Sequence, residues 1–450
     1  MTTLLWLRRD LRRGDHPALC AAAEDGPVLV CFVLDPALLA DAGAVRTGWL
    51  AACLRAADAA YDGRLCLRQG RPEEVIPTLA AEVGATAVHV SAETEPVGAS
   101  RDARVRDALS ARGVGWVETG SPYAVTPGRV RSRSGDGFAV FTAFLRAWRE
   151  HGWRPPAVEP DAVRLLSLPR DAEAWSRLDA AAAACPVPLP PAGEDAALAT
   201  WSAFLDEDVE HYAAERDRPD HAGTSRLSPY LKFGVLHPRT LLASLAARQG
   251  EGSERYVAEL AWREFYADVL FRHPGSVTSD LRPLPLSYDE PGDAFSAWQQ
   301  GRTGYPIVDA GQRQLLATGW MHNRVRMITA SFLTKDLHIW WPHGARHFLD
   351  RLLDGDLASN AHGWQWVAGT GTDAAPYFRV FNPTTQAERF DPAGDYVRSW
   401  VPELAHLAGA SVHRPWEAAD GYAGGYPQRI VDHDAERKEA LARYQLARRG

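Results

Sequence analysis

The chain has little of what marks a secreted, membrane-anchored or metal-loaded protein. Its five cysteines, Cys20, Cys31, Cys53, Cys66 and Cys185, all fall in the first part of 450 residues and never form a CxxC pair. An odd, scattered set of this kind reads as free thiols, mostly buried, and excludes both a disulfide framework and a zinc site. The opening residues lack the long uncharged apolar segment of a signal peptide, and no later run reads as long enough to span a bilayer. A cytoplasmic protein is expected. No GxGxxG follows the first apolar run, where Arg8, Arg9 and Asp10 stand instead, so a nicotinamide dinucleotide is not expected there. The absence of a GxSxG elbow excludes an ordinary serine hydrolase. His343 and His347 are spaced i, i+4, but without the acid of HExxH they read as surface histidines. No internal repeat or low-complexity tract stands out.

What is present is an ordinary globular composition in a chain too long for one hydrophobic core, so two domains are expected. Over the first 120 or so residues, short apolar runs at 4–7, 28–34, 65–67, 87–90 and 116–118 read as strands. Between them, 46–61, 72–83 and 100–111 carry helical periodicity. That alternation predicts a parallel sheet covered by helices. From residue 121 the pattern loosens, and prolines at 155–156 and 186–191 mark a long connection. Beyond it, 196–214, 239–247, 254–271, 309–317, 324–337, 344–353 and 434–448 are mostly helical in pattern. The expected architecture is an α/β domain over 1–125, a linker over 126–194 and an all-α domain over 195–450.

Three aromatic clusters occupy the second half. Glu259, Trp262, Arg263 and Tyr266 form one; Trp320, His322, Asn323, Arg324, Arg326 and Met327 form another. The densest runs from Asp354 and Asp356 through Asn360, Trp364 and Trp366 to Pro376, Tyr377, Phe378 and Arg379. Tryptophans mostly fill cores, but three clusters mixing Trp, Arg and amide point to one site for something flat and aromatic. Thr224, Ser225, Arg226 and Ser228 offer hydroxyls and a cation where a helix could begin, an arrangement suited to a pyrophosphate. The net charge of −8 counts weakly against a nucleic acid partner, yet Arg216, Arg218, Arg226, Arg263, Arg324, Arg326, Arg379 and Arg389 sit within or beside the aromatic clusters.

At these residues the sequence resembles the photolyase/cryptochrome family, and within it the class I cyclobutane pyrimidine dimer photolyases. The similarity runs through nearly the whole chain, from Trp6–Arg12 through Thr224–Ser228, the three clusters and Phe381-Asn382-Pro383. It implies a Rossmann-like antenna domain and a helical domain holding a reduced, anionic FAD bent into a U. By motif matching, Tyr212, Thr224, Ser225, Leu227 and Ser228, beside Arg226, would contact the ribityl and phosphate parts. Arg263, Asn323, Asp354 and Asp356 would surround the isoalloxazine and adenosine, Asn360 would face flavin N5, and Arg326 would pair with one of the acids. Tyr256 stands where close relatives have Trp, and Ala361 and His362 replace a small polar or glycine pair.

On the substrate side the resemblance implies UV-damaged DNA bound by a monomer. Trp262 and Trp366 would wall the flipped dimer, Glu259 and Asn323 would hold its base edges, and Met327 would pack against it. Arg216, Arg324 and Arg379 would meet phosphates. The photoreduction relay would use Trp364 and Trp341, with Tyr288 at the outer position and Trp340 as the alternative terminus. Lys232, Arg46 and Cys53 resemble contacts to an 8-hydroxy-5-deazaflavin antenna, with methenyltetrahydrofolate as the alternative. No metal is expected. A cryptochrome-like light receptor and a 6-4 photolyase are the competing readings.

Overall fold

In the computed structural model the described residues are 1–132, 135–160, 162–373 and 379–449. The chain divides into two compact units. The first comprises 1–138, 142–210 and 225–274; the second comprises 139–141, 211–224 and 275–450.

The first unit is built on five parallel strands, β1 (Thr2–Trp6), β2 (Val28–Leu34), β3 (Cys66–Gln69), β4 (Ala85–Val90) and β5 (Gly115–Glu118), in the order β3-β2-β1-β4-β5. β2 is buried at every position, which is why it reads as an unbroken apolar run rather than an alternation. Between the strands lie α1 (Pro17–Asp25), α2 (Pro36–Ala60), α3 (Pro72–Glu82) and α4 (Pro96–Ser110). Each of these four helices starts with proline, whose missing N–H costs nothing at that position. α2 begins ten residues before the expected 46 and kinks at Gly43 (φ 72°). It also corrects the expectation that no segment could span a bilayer, since its length and apolar composition suffice. Here it is a core helix, with Trp49, Cys53 and Leu54 buried.

The chain order reverses between β1 and β4, the place where doubly wound sheets bind ligands. Charged side chains fill it. Arg8 Nη1 donates to Asp102 at 2.8 Å and Ser91 Oγ to Asp10 at 2.6 Å. Arg9 pairs with Glu95, and Lys232 lies 4.0 Å from the same carboxylate. Gly234, at φ 61°, lets its chain come close, because a Cβ there would lie 1.9 Å from the Arg9 carbonyl oxygen.

The 121–194 stretch is more ordered than its prolines suggest. It contains α5 (Phe141–His151) and α6 (Ala172–Ala183), followed by α7 (Glu194–Glu207). The helix expected over 196–214 is therefore two, the second being the short α8 (Tyr212–Glu215) of the other unit. α9 (Ser228–Lys232), α10 (Pro238–Ala246) and α11 (Glu251–Arg272) complete the first unit.

The second unit is mostly helical: α12 (Asp293–Gln299), α13 (Pro306–Thr318), α14 (Asn323–Ser331), α15 (Trp341–Arg351), α16 (Leu357–Ala368), α17 (Pro383–Phe390), α18 (Asp395–Trp400) and α19 (His433–Ala447). The single helix expected over 324–337 is α14 followed by a π-turn at Phe332–Asp336. His347, expected at the surface, is buried; it bonds to Gln312 Oε1 at 3.1 Å, and burial drives its pKa down to about 4. Its i, i+4 companion His343 is exposed, as expected. All five cysteines are free, three of them buried.

Glu264 on α11 fastens the start of the long connection. Its carboxylate accepts from Val125 N (3.1 Å), Trp148 Nε1 (2.6 Å) and the Ala124 amide (2.5 Å). Burial pushes its pKa from 4.5 up to about 7 despite these donors. The folded chain thus holds this proton more tightly than the unfolded one, so the associated stability is full below 4.5 and is lost as pH rises through about 7. Denaturant unfolding between those limits should show a decline of about 3 kcal/mol, absent in Glu264→Gln. Equal slopes for the two proteins would mean that Glu264 is ionised throughout.

Candidate flavin and DNA site

In the first unit, α11 carries Tyr256, Glu259 and Arg263 at i, i+3 and i+7, on one helical face. The buried Tyr256 ring packs on Trp201 (5.1 Å between centroids) and Phe204 (5.2 Å), and its hydroxyl meets Ser225 Oγ at 2.8 Å. Ser225 begins the polar loop that leads into α9; Arg226 within it is exposed and adopts φ 51°. Leu227 is buried and Ser228 is the first residue of α9. Arg263 is committed to the protein: it donates to the carbonyls of Pro122 (3.1 Å) and Leu231 (3.3 Å) and lies 4.5 Å over the Tyr123 ring. Glu259 lies 3.6 Å from Arg255. Trp262 is half-buried against Phe265 and Tyr266. Of the residues suggested for the antenna, Lys232 and Cys53 are buried, while Arg46 is half-buried and donates to the Asp41 carbonyl at 3.1 Å.

In the second unit, α14 begins with His322 as its cap, the imidazole Nδ1 accepting from Arg324 N at 3.2 Å. Burial lowers the His322 pKa to about 4, so the ring is neutral and free to accept. Asn323 and Met327 follow one turn apart, with the Asn323 amide 4.0 Å from the Met327 sulfur. Arg326 donates to Asp354 at 2.8 Å. Arg324 donates to Asp217 at 2.8 Å and lies 4.4 Å over Phe390; Arg216 lies 3.8 Å from the same carboxylate and 6.0 Å over Tyr212. Asp217 holds both cations, yet no short-range pattern marks it in the sequence. Thr224 is half-buried and Arg379 is exposed; Pro376, Tyr377 and Phe378 lie outside the described residues.

α16, which the sequence periodicity missed, carries the densest cluster. Asp356 caps it by accepting from Ser359 N at 2.9 Å. Asn360 and Trp364 follow at i, i+4, and Trp366 is half-buried. The Asn360 amide donates to the Ala345 carbonyl at 3.0 Å. Trp364 packs edge-on against Phe348 (5.0 Å) and Trp298 (6.1 Å), and Gly344 makes room for it, since a Cβ there would sit 2.2 Å from the indole. His362 is fully buried and tied to Ser276 Oγ (3.1 Å) and Ala358 O (2.8 Å). Tyr288 contacts Trp340 (6.3 Å), which in turn contacts Trp341 (6.5 Å).

The donor sets suit a flavin dinucleotide. The second unit holds a carboxylate-backed guanidinium, Arg326, and a neutral amide, Asn360, whose oxygen takes no bond among the described residues. Hydroxyls and a cation crowd a short loop in the first. The comparisons agree. Residues 3–161 match the family described as DNA photolyase, and 256–446 match the FAD binding domain of DNA photolyase. The chain belongs to the DNA photolyase family and is an enzyme of that family. A deoxyribodipyrimidine photo-lyase of Halobacterium salinarum is 39% identical over 99% of both chains. One from Streptomyces griseus is 41% identical over 98% of this chain and 97% of its own. Among solved structures, a class III photolyase from Agrobacterium tumefaciens superposes with a TM-score of 0.90 at 35% identity, covering 100% of this chain and 98% of that one.

Asn360→Asp should destabilise the protein by about 1–3 kcal/mol, because a carboxylate in place of the amide sets oxygen against the Ala345 carbonyl. Chemical denaturation at neutral pH reads this directly; unchanged stability would mean that the bond to Ala345 contributes nothing.

Proposed function

We propose that this chain is a class I cyclobutane pyrimidine dimer photolyase acting on UV-damaged DNA as a monomer. The observation that carries the reading is that α14 brings together Asn323 and Met327, one turn apart, with Arg326 paired to Asp354. One helix thereby serves both the lesion and the flavin. The name borne by the Agrobacterium relative favours class III as a second reading.

Reduced FAD, once bound and excited by light, supplies the electron that opens the cyclobutane ring and takes it back. The residues of the chain bind, orient and exclude water. Tyr212, Thr224, Ser225, Arg226, Leu227 and Ser228 hold the ribityl and phosphate parts, with Tyr256 supporting them from α11, while Arg263 joins the residues around the isoalloxazine and adenosine. Asp354, Asp356 and Asn323 meet the adenosine and ring edges. Arg326 offers positive charge to an anionic isoalloxazine, and Asn360, a neutral amide, brings no acidic proton to N5. Trp262 and Trp366 stack on the flipped dimer, Glu259 and Asn323 hydrogen-bond its base edges, and Met327 fills the remaining contact. A dimer already disrupts stacking, so extruding it costs less than flipping a normal base, and selectivity begins there. Arg216, Arg324 and Arg379 meet phosphates and fix position without reading sequence. In functional terms 1–125 is the antenna domain, 126–194 the linker and 195–450 the catalytic domain. Trp364 and Trp341 form the inner part of a photoreduction relay, with Tyr288 beyond them.

Reduced protein under blue light should restore thymine absorbance to dimer-containing DNA, and Trp262→Ala should weaken binding to that DNA by about 1–3 kcal/mol. No recovery above a dark control overturns the enzyme reading, whereas recovery with unchanged affinity in the variant removes only the role of Trp262.

The antenna is proposed to be 8-hydroxy-5-deazaflavin, bound in the first unit, where Arg9, Glu95 and Lys232 gather at the reversal of strand order. Chromophore released from the denatured holoprotein should have a deazaflavin absorption spectrum. Release of methenyltetrahydrofolate instead decides for the alternative.

A further inference from the structure

The proposed relay contains aromatic groups whose oxidation is completed only if a proton can leave. Trp364 and Trp340 keep their indole N–H groups buried, and Tyr288 its phenol; none of the three finds a hydrogen-bond partner among the described residues. Trp341 differs. Its indole N–H donates to Asp280 Oδ1 at 2.7 Å, and the ring itself is 1% exposed. The carboxylate is held there by its neighbours. Leu281 N donates to Gln365 Oε1 (2.8 Å), Gln365 Nε2 donates to Ser276 O (2.6 Å), and Arg282 N donates to Thr370 O (2.8 Å). The segment bearing Asp280 is thus fastened to α16 and the turn that follows it.

We infer that Asp280 is the proton acceptor for Trp341, and that the long-lived oxidised site of the relay is a neutral Trp341 radical. The inference rests on the relay reading above. Trp364 gives one electron to a photoexcited oxidised isoalloxazine, and Trp341 refills Trp364 with one electron of its own. The indole N–H bond of Trp341 breaks, its proton forms an O–H bond on Asp280, and a neutral indolyl radical stands beside a carboxylic acid. A radical cation in this buried setting would otherwise return its charge to Trp364, and the carboxylate removes that route by taking the proton. A tyrosine at position 288 is then tolerated, since the relay no longer depends on the outer residue to discharge a proton.

Transient absorption of the FAD-loaded protein separates neutral from cationic tryptophan radicals by their spectra. In the parent, the neutral form should appear with a solvent deuterium isotope effect. In Asp280→Asn, which keeps the shape and an acceptor but not the proton affinity, its formation should slow at least about tenfold and the isotope effect should vanish. Asp280→Glu, retaining a carboxylate, should recover the neutral radical. Trp341→Phe tests the relay separately: if its radical yield matches that of the parent, the relay reading falls and the role of Asp280 with it. If Trp341→Phe abolishes the signal while Asp280→Asn keeps the parental rate and isotope effect, the relay stands and Asp280 is not the acceptor. A readout independent of light and of variant folding is the indole N–H resonance of Trp341 in the parent. Hydrogen bonding to a carboxylate should shift it downfield and slow its exchange with solvent; an unshifted, rapidly exchanging proton overturns the proposal.

Discussion

Much of the second unit depends on how α16 is held at its two ends. At the N-terminal end the Asp356 carboxylate satisfies an orphan amide; at the other the buried amino group of Lys335 donates to the Ala368 carbonyl at 2.7 Å. Burial pushes the pKa of Lys335 well down from the usual lysine value. Lys335 reaches that carbonyl from the π-turn that ends α14, a local irregularity of the kind that often marks functional regions. Asn360, Trp364 and Trp366 all stand on the helix so fixed, and His362 and Gln365 on the same helix fasten the 276–281 segment.

The sheet was readable because its strands are short apolar runs set between helical patterns, and β2 coincides with the run at 28–34. α16 was not, because none of its residues is exposed and half are buried, so it shows no solvated polar face, and its Asn, His, Gly and Trp residues resemble a loop in composition. α5 and α6 were masked by the prolines around them. His347 was misjudged because i, i+4 spacing says nothing about which neighbour covers a side chain; here Gln312, 35 residues away, does. The residues proposed for the flavin and the lesion were visible through motifs that share one helix or one loop. Their partners were not: Asp217 lies 107 residues from Arg324, and Asp280 lies 61 from Trp341. Such pairs exist only once the chain has folded, so periodicity cannot show them.

The arginine cluster shows how an acidic chain can present cations. Asp217 is shared by Arg216 and Arg324, and Phe390 supports Arg324 from its ring face. In the proposed phosphate role, guanidiniums already oriented by Asp217 would lose less entropy on binding. The same proposal implies a cost, since a phosphate would compete with the Asp217 carboxylate already in place. Arg379, exposed, carries no such constraint among the described residues.

Helix α11 does more than display Tyr256, Glu259 and Trp262. Along its length Arg263 reaches Pro122, Glu264 the amides of Ala124 and Val125, Asp268 the amide of Gly128, and Arg272 the carbonyl of Val130. Contacts separated by about 140 residues in sequence thus advance in step, one helical turn of α11 for a few residues of strap. Such an arrangement behaves like a zipper. A defect at one tooth is shared by its neighbours, and the strap is ordered only as far as the helix beneath it is wound.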